Sequence, residues 1–189
     1  MKKWILASMV FLGTLTIKAQ TEKGSFLVNG NTSFSFSKKT QKIKEYDSSI
    51  TSFKENLFGI EISGGYFILN NLAGGINLGY TNRKYRGDET KVFNIGPYVR
   101  YYFASKKIKP FIEGAYLFGK EKYFYKNANE IEKKINTYSG SFGVAFFIFK
   151  NVSFDVAAQY VYSKPSSFSG YEYYNSRFNF RTGFSFFLN

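Results

Sequence analysis

The stretch Leu57-Phe58-Gly59-Ile60-Glu61-Ile62-Ser63-Gly64-Gly65-Tyr66-Phe67 decides how this 189-residue chain folds. Its even positions, Phe58, Ile60, Ile62, Gly64 and Tyr66, are apolar or glycine. Its odd positions Gly59, Glu61, Ser63 and Gly65 are small or polar, with Leu57 and Phe67 at the two ends. Successive strand residues point to opposite faces, so this period-two pattern is a β-strand with one apolar face and one that holds a carboxylate.

The same pattern recurs at 25–37, 72–82, 91–103, 110–119, 138–149, 152–162 and 176–188, without any repeat of the sequence itself. The apolar faces carry Phe26, Val28 and Phe34; Ile76, Leu78 and Tyr80; Phe93, Ile95 and Val99; Ile112, Tyr116 and Phe118; Phe142, Val144 and Phe146; Phe154, Val156 and Tyr160; and Phe178, Phe180 and Phe184. None of these positions is charged. The opposite faces carry Glu61, Arg100, Glu113, Asp155, Arg177 and Arg181, with Asn, Gln, Ser and many glycines. Connections alternate as well. Those at 38–56, 83–90, 120–137 and 163–175 are long and polar, whereas those at 68–71, 104–109 and 150–151 are short.

Alternating loop lengths describe a meander of antiparallel hairpins. The interior of an eight-stranded barrel is only just wide enough for side chains. The bulky Phe and Tyr face does not fit there, but the small and polar face does. The expected fold is therefore all-β: an eight-stranded, antiparallel, up-and-down transmembrane β-barrel, apolar outside and polar inside. Tyr66, Tyr80, Tyr101, Phe103, Tyr138, Tyr160, Tyr162 and Phe178 sit near strand ends, where aromatic girdles meet the membrane interface. Ordinary β-propensity of aromatic residues explains the same placement.

The first residues read differently. Lys2 and Lys3 precede the apolar run 4–17, and Lys18-Ala19-Gln20 closes it, the pattern of a cleaved export signal over 1–20. The barrel domain is then expected over 21–189, with even strand count placing both ends on the short-turn side.

Absent residue types exclude chemistry. The chain has no Cys and no His. It thus lacks disulfides, thiolate metal sites, a Cys nucleophile, a Ser-His-Asp triad and ordinary zinc ligation. No cofactor is expected. Glu61, Glu113 and Asp155 face Arg100, Arg177 and Arg181 across the expected lumen, three acids against three bases. Buried charges are costly unless paired, so this set reads as an interior charge network rather than as catalytic carboxylates.

The formal charge of +13 resides mostly between the strands. Lys38, Lys39, Lys42 and Lys44 fall in the first loop and Arg83, Lys84 and Arg86 in the second. Lys120, Lys122, Lys126, Lys133 and Lys134 fall in the third, where Ala128–Ile135 is expected to form a short helix. Nucleic acid is excluded as a partner by the expected location. Phosphates of surface lipopolysaccharide, met by Lys38, Lys39, Arg83, Lys84, Arg86, Lys120 and Lys122, are one use of these charges. A solvated loop surface is the other.

Three motifs carry a family resemblance: the signal ending Lys18-Ala19-Gln20; the run Phe93-Asn94-Ile95-Gly96-Pro97-Tyr98-Val99-Arg100-Tyr101-Tyr102-Phe103, followed by Lys109-Pro110-Phe111-Ile112-Glu113-Gly114; and the last strand, with Arg181, Gly183, Phe186 and Leu188. The chain resembles the small outer-membrane β-barrel family, the OmpA-like and OmpX-like eight-stranded barrels of Bacteroidetes type. The resemblance implies residence in the outer membrane of a Gram-negative bacterium among its lipids and lipopolysaccharide. It also implies a monomer, and Arg181, Gly183, Phe186 and Leu188 as the signal read by the barrel assembly machinery. The function expected is non-enzymatic: envelope integrity, or surface interaction through four long loops. A small porin-like channel for ions or small solutes is the alternative. A lipid-modifying barrel enzyme is disfavoured by the missing His.

Overall fold

The structure, a computed structural model, describes residues 21–36, 56–85, 88–103, 107–124, 131–165 and 175–189. The expected signal at 1–20, and Lys38, Lys39 and Arg86, lie outside the described residues. Eight strands follow in order: β1 (Phe26–Phe36), β2 (Asn56–Leu69), β3 (Leu72–Tyr85), β4 (Asp88–Tyr102), β5 (Ile108–Phe124), β6 (Ile131–Phe149), β7 (Val152–Pro165) and β8 (Asn175–Leu188). Each pairs antiparallel with the next, and β8 returns to pair with β1, closing an up-and-down barrel.

The pairing fixes the barrel's shape. Rungs that start at Phe36 on β1 pass through Phe178, Tyr160, Gly140, Gly114, Val99, Gly74 and Tyr66 and come back to β1 at Phe26. The return is displaced by ten residues (36 to 26), the shear that tilts the strands. Ten residues at ~3.3 Å each, tilted by roughly 40°, climb about 25 Å, the height of a hydrocarbon band.

Side-chain parity follows the sequence pattern. Ile62, Phe93, Phe142 and Phe180 are at least half exposed, at 54%, 56%, 60% and 50%, on the outer wall. Asn29, Asn77, Asn94, Gln159, Asn179 and Ser185 are buried inside. An outer wall made of Phe, Tyr, Ile and Val suits lipid rather than water.

Short turns close the lower rim. Asn71 adopts a left-handed φ of 66° between β2 and β3, a conformation Asn tolerates better than most residues. Its backbone N–H donates to the Thr21 carbonyl at 2.7 Å, and its own carbonyl accepts from Tyr102 N–H at 2.8 Å. Residues 21–25 therefore lie across this rim, where the Ser25 hydroxyl also donates to Asn189.

The upper rim differs from expectation. β3 runs to Tyr85 and β4 begins at Asp88, so the second loop is nearly all strand. The third loop is a raised hairpin, with Tyr123 opposite Ile131 and Lys122 opposite Glu132. The helix expected over Ala128–Ile135 is not formed: Ile131–Ile135 belongs to β6, and 128–130 lie outside the described residues. Above the hydrocarbon both faces of a strand meet polar surroundings, so the ladder continues while the apolar alternation that marks it in sequence disappears.

Pro97 makes no bulge. Ile95 opposes Phe118 and Tyr98 opposes Ala115 in one unbroken register, while Gly96 and Pro97 drop out of the β4–β5 ladder. Pro97 keeps its rung with Ile76 on β3. The missing N–H thus costs a rung toward β5 without shifting any side chain to the wrong face.

These faces give opposite responses to one new charge. Ile62 lies midway along β2 between the exposed Tyr66 and Phe58, so Ile62→Lys places an ammonium in mid-hydrocarbon at about 2–4 kcal/mol. Gln159 points inward, its amide 3.5 Å from the Glu61 carboxylate, so Gln159→Lys is expected to cost less. Urea unfolding of both variants in lipid vesicles measures the difference; a larger loss for Gln159→Lys would reverse the face assignment.

Candidate functional site

The inward positions of five strands converge on a chain of charges across the lumen. Arg100 on β4 donates from Nε to Glu113 Oε2 on β5 at 2.7 Å, and its Nη1 reaches Asp155 Oδ2 on β7 at 2.9 Å. Arg181 on β8 donates from Nη2 to Glu113 Oε1 and from Nη1 to Glu61 Oε2 on β2, both at 2.7 Å. Glu113 therefore sits between two guanidiniums. The order Glu61–Arg181–Glu113–Arg100–Asp155 spans the barrel, and all but Glu61 are at most 2% exposed in their side chains.

Three carboxylates face two guanidiniums in this chain, and neutral donors serve its ends. Asp155 also accepts from the Ser153 hydroxyl at 2.6 Å, the Ser185 hydroxyl at 2.7 Å and the Asn29 amide at 3.3 Å. Asn179 on β8 donates to Gln159, whose amide is directed at Glu61. Arg177, expected in the same group, lies farther along β8 toward the loop end and is half-exposed. The structure thus joins five of the six charged residues and leaves Arg177 outside that chain.

Below the charges lies a plug that the sequence reading missed. Leu27, Phe67, Ala73, Tyr102, Phe111, Ala145, Ala157 and Phe187 form one buried apolar cluster, with Phe147 packed against it. Phe187 is its hub, with ring centroids 6.1 Å from Phe67, 5.9 Å from Tyr102 and 5.0 Å from Phe147. Arg100 joins the two layers: its guanidinium lies 4.4 Å over the Phe111 ring and donates to the Tyr102 hydroxyl at 3.0 Å. Gly143 makes room for the plug, since a Cβ there would stand 2.6 Å from Phe111 Cζ and 2.7 Å from the Ala157 Cβ. The signal for the plug is the aromatic doublet. Tyr66-Phe67, Tyr101-Tyr102, Phe146-Phe147 and Phe186-Phe187 all end strands at the short-turn rim, and one member of each must face inward.

Toward the loops, Val92, Leu117, Ile135 and Val161 turn inward and are buried. Above them Arg83 bonds Glu121 at 2.7 Å, with the Glu121 side chain fully buried. Arg83, expected on a loop facing lipopolysaccharide, is instead committed to the lumen mouth. Lys84 belongs to β3, and Lys120 and Lys122 stand on the outer face of the β5 extension rather than in a loop. The last-strand motif divides by parity: Arg181 and Gly183 face the lumen, whereas Phe186 is exposed on the outer wall and Leu188 is half-exposed.

Among the described residues no group of three acidic ligands is placed to hold a metal ion. The arrangement cross-links the wall across the lumen. Removing one partner of a buried pair costs about 3–5 kcal/mol because the other charge is stranded. Arg100→Met is expected to lose that much in urea unfolding. Adding Asp155→Asn is expected to recover part of the loss, so a double-mutant cycle reads their coupling. Strictly additive losses would mean that the two residues do not act together.

Comparison with known proteins places the fold. Neisserial surface protein A superposes with a TM-score of 0.59 at 18% identity, over 87% of this chain and 99% of that one. OprG of Pseudomonas aeruginosa gives 0.55 at 12% identity, over 91% and 100%. Ail, the attachment invasion locus protein of Yersinia pestis, gives 0.51 at 14% identity, over 87% and 99%. At such identities the likeness is one of architecture. No curated protein compared with the chain matches it. The family model described as outer membrane protein beta-barrel domain matches residues 5–186, and the chain belongs to that family.

Proposed function

We propose that this protein is a sealed, monomeric, non-enzymatic barrel in the outer membrane of a Gram-negative bacterium. It acts in envelope integrity or surface interaction through its loop-bearing rim. One observation supports this reading: two buried side-chain layers lie in series along the lumen, the Glu61–Arg181–Glu113–Arg100–Asp155 chain and the Phe67, Tyr102, Phe111 and Phe187 plug. A hydrated ion would have to break buried ion pairs and then displace packed rings, and both are costly. The channel reading has no comparable support. The lipid-modifying reading lacks the histidine on which such chemistry commonly relies.

The remaining steps belong to the same proposal. Residues 1–20 direct export, and the last strand, with Arg181, Gly183, Phe186 and Leu188, is read by the assembly machinery. Lys38, Lys39, Lys84, Arg86, Lys120 and Lys122 face lipopolysaccharide. With its lumen closed, the parts of the molecule open to the outside are the loops and the raised strand ends.

Planar-bilayer recording tests the sealed lumen. The purified protein is expected to give no stepwise conductance at either polarity. Reproducible unitary steps from the unmodified protein would refute the reading.

A further inference from the structure

The two ends of the lumen charge chain are unequally served. Asp155 accepts from Arg100, from the Ser153 and Ser185 hydroxyls and from the Asn29 amide. Both oxygens of the central Glu113 are held by guanidiniums. At the other end, Glu61 accepts from Arg181 through Oε2, while its Oε1 has, among the described residues, only the Gln159 amide at 3.5 Å, beyond the range of a good hydrogen bond. Glu61 is also the one member with appreciable accessible side-chain surface, 16% against 2% for Arg181. Three carboxylates and two guanidiniums leave the chain one negative charge in excess, least compensated at this oxygen. The other inward cations are placed elsewhere: Arg83 on Glu121 at the mouth, Lys109 on Thr21 below the rings, and Arg177 farther up β8.

Beside Glu61 the wall supplies further acceptors rather than donors. Glu61 on β2, Gly79 on β3 and Asn94 on β4 share one rung and one face. Asn94 leans into the space over Gly79, where a Cβ would stand 2.2 Å from Asn94 Oδ1. Asn77, two residues before Gly79 on the same face, is the diagonal neighbour of both Glu61 and Asn94. Asn77 and Asn94 are buried, and the Oδ1 of each has no hydrogen-bond partner among the described residues. Buried polar atoms are seldom left in this state. A carboxylate oxygen and two amide oxygens cannot satisfy one another, because none of the three carries a proton to donate. A cation satisfies all three at once.

We propose that Glu61, Asn77 and Asn94 bind a monovalent alkali cation inside the barrel, with Gly79 as the open floor of the site. Carboxylate and carbonyl oxygens are the ligands that hard cations take in place of water. A single positive charge matches the single surplus carboxylate. Bound there, the ion neutralises the Glu61 end of the chain and ties β2, β3 and β4 together from within. The inference goes beyond the sealed-barrel reading and does not rest on it.

The test compares cations at constant screening. The full chain is refolded into phosphatidylcholine vesicles and unfolded with urea in sodium, potassium or choline chloride at one ionic strength. Choline screens charge as an alkali ion does but is too large for the site. Sodium or potassium is expected to lower the unfolding equilibrium constant about tenfold relative to choline, the effect of an ion at about ten times its Kd. Glu61→Gln is expected to abolish that difference. Asn94→Ala, which keeps every charge of the chain, and Gly79→Ala, whose methyl group fills the floor, are expected to do the same, so the outcome does not hang on one variant folding. Ser141→Ala removes another buried, unpartnered oxygen, on β6, and is expected to keep the difference.

Equal stability of the parent in all three salts would overturn the site. So would an alkali-ion effect that Glu61→Gln and Asn94→Ala both retain, which would put the ion on the lipid or the outer wall. Stabilisation by calcium chloride without any by sodium or potassium would overturn the assignment to a monovalent ion.

Discussion

Everything in this molecule depends on the pairing of β1 with β8. In hydrocarbon an unpaired peptide group has no water to fall back on, and each costs several kcal/mol. An open sheet would expose two such edges. Eleven consecutive rungs, from Phe26–Leu188 to Phe36–Phe178, remove both. Once the ladder is closed with its displacement of ten residues, the radius is set, and only a limited set of side chains can fill the interior. The apolar outer wall, the crowded lumen and the glycines against neighbouring strands are consequences of that closure.

The interior solves its filling problem in layers. Aromatic rings occupy the short-turn end, where the buried Lys109 ammonium donates to the Thr21 hydroxyl and lies 5.7 Å over the Phe147 ring. Ion pairs occupy the middle, where each carboxylate finds guanidinium or hydroxyl donors. Arg100 belongs to both, stacked on Phe111 and bonded to Glu113 and Asp155. A buried network of this kind is tolerable only when its members are satisfied, and replacing one residue therefore disturbs several strands.

The strands, their order and their two faces were legible in the sequence because one side of each faces hydrocarbon. Residues such as Ile62 and Glu61 then alternate between the two faces. The raised β5–β6 hairpin was not legible: Lys120, Glu121, Lys122, Glu132 and Lys133 carry no apolar alternation, and cross-strand ion pairs replace it. The charge network was legible as a set of residues but not as a wiring diagram. Which acid meets Arg100 depends on the shear, which brings Asp155 of β7 rather than Glu61 of β2 to its second nitrogen. The plug escaped notice because Phe67, Tyr102, Phe147 and Phe187 sit beside outward aromatics, and a doublet hides its inward member.

The wiring also sets an order of events. Arg181 of β8 bonds Glu61 of β2 and Glu113 of β5, and Arg100 of β4 bonds Asp155 of β7. None of these three contacts joins neighbouring strands. The two made by Arg181 need β8 in place, and the Arg100–Asp155 contact needs a sheet already curled enough to bring β4 and β7 face to face. Bonds made after a rate-limiting step slow unfolding without hastening folding. With closure as that step, the Arg181 contacts are a latch: they contribute little to how quickly the barrel assembles, and much to how long the finished barrel stays shut.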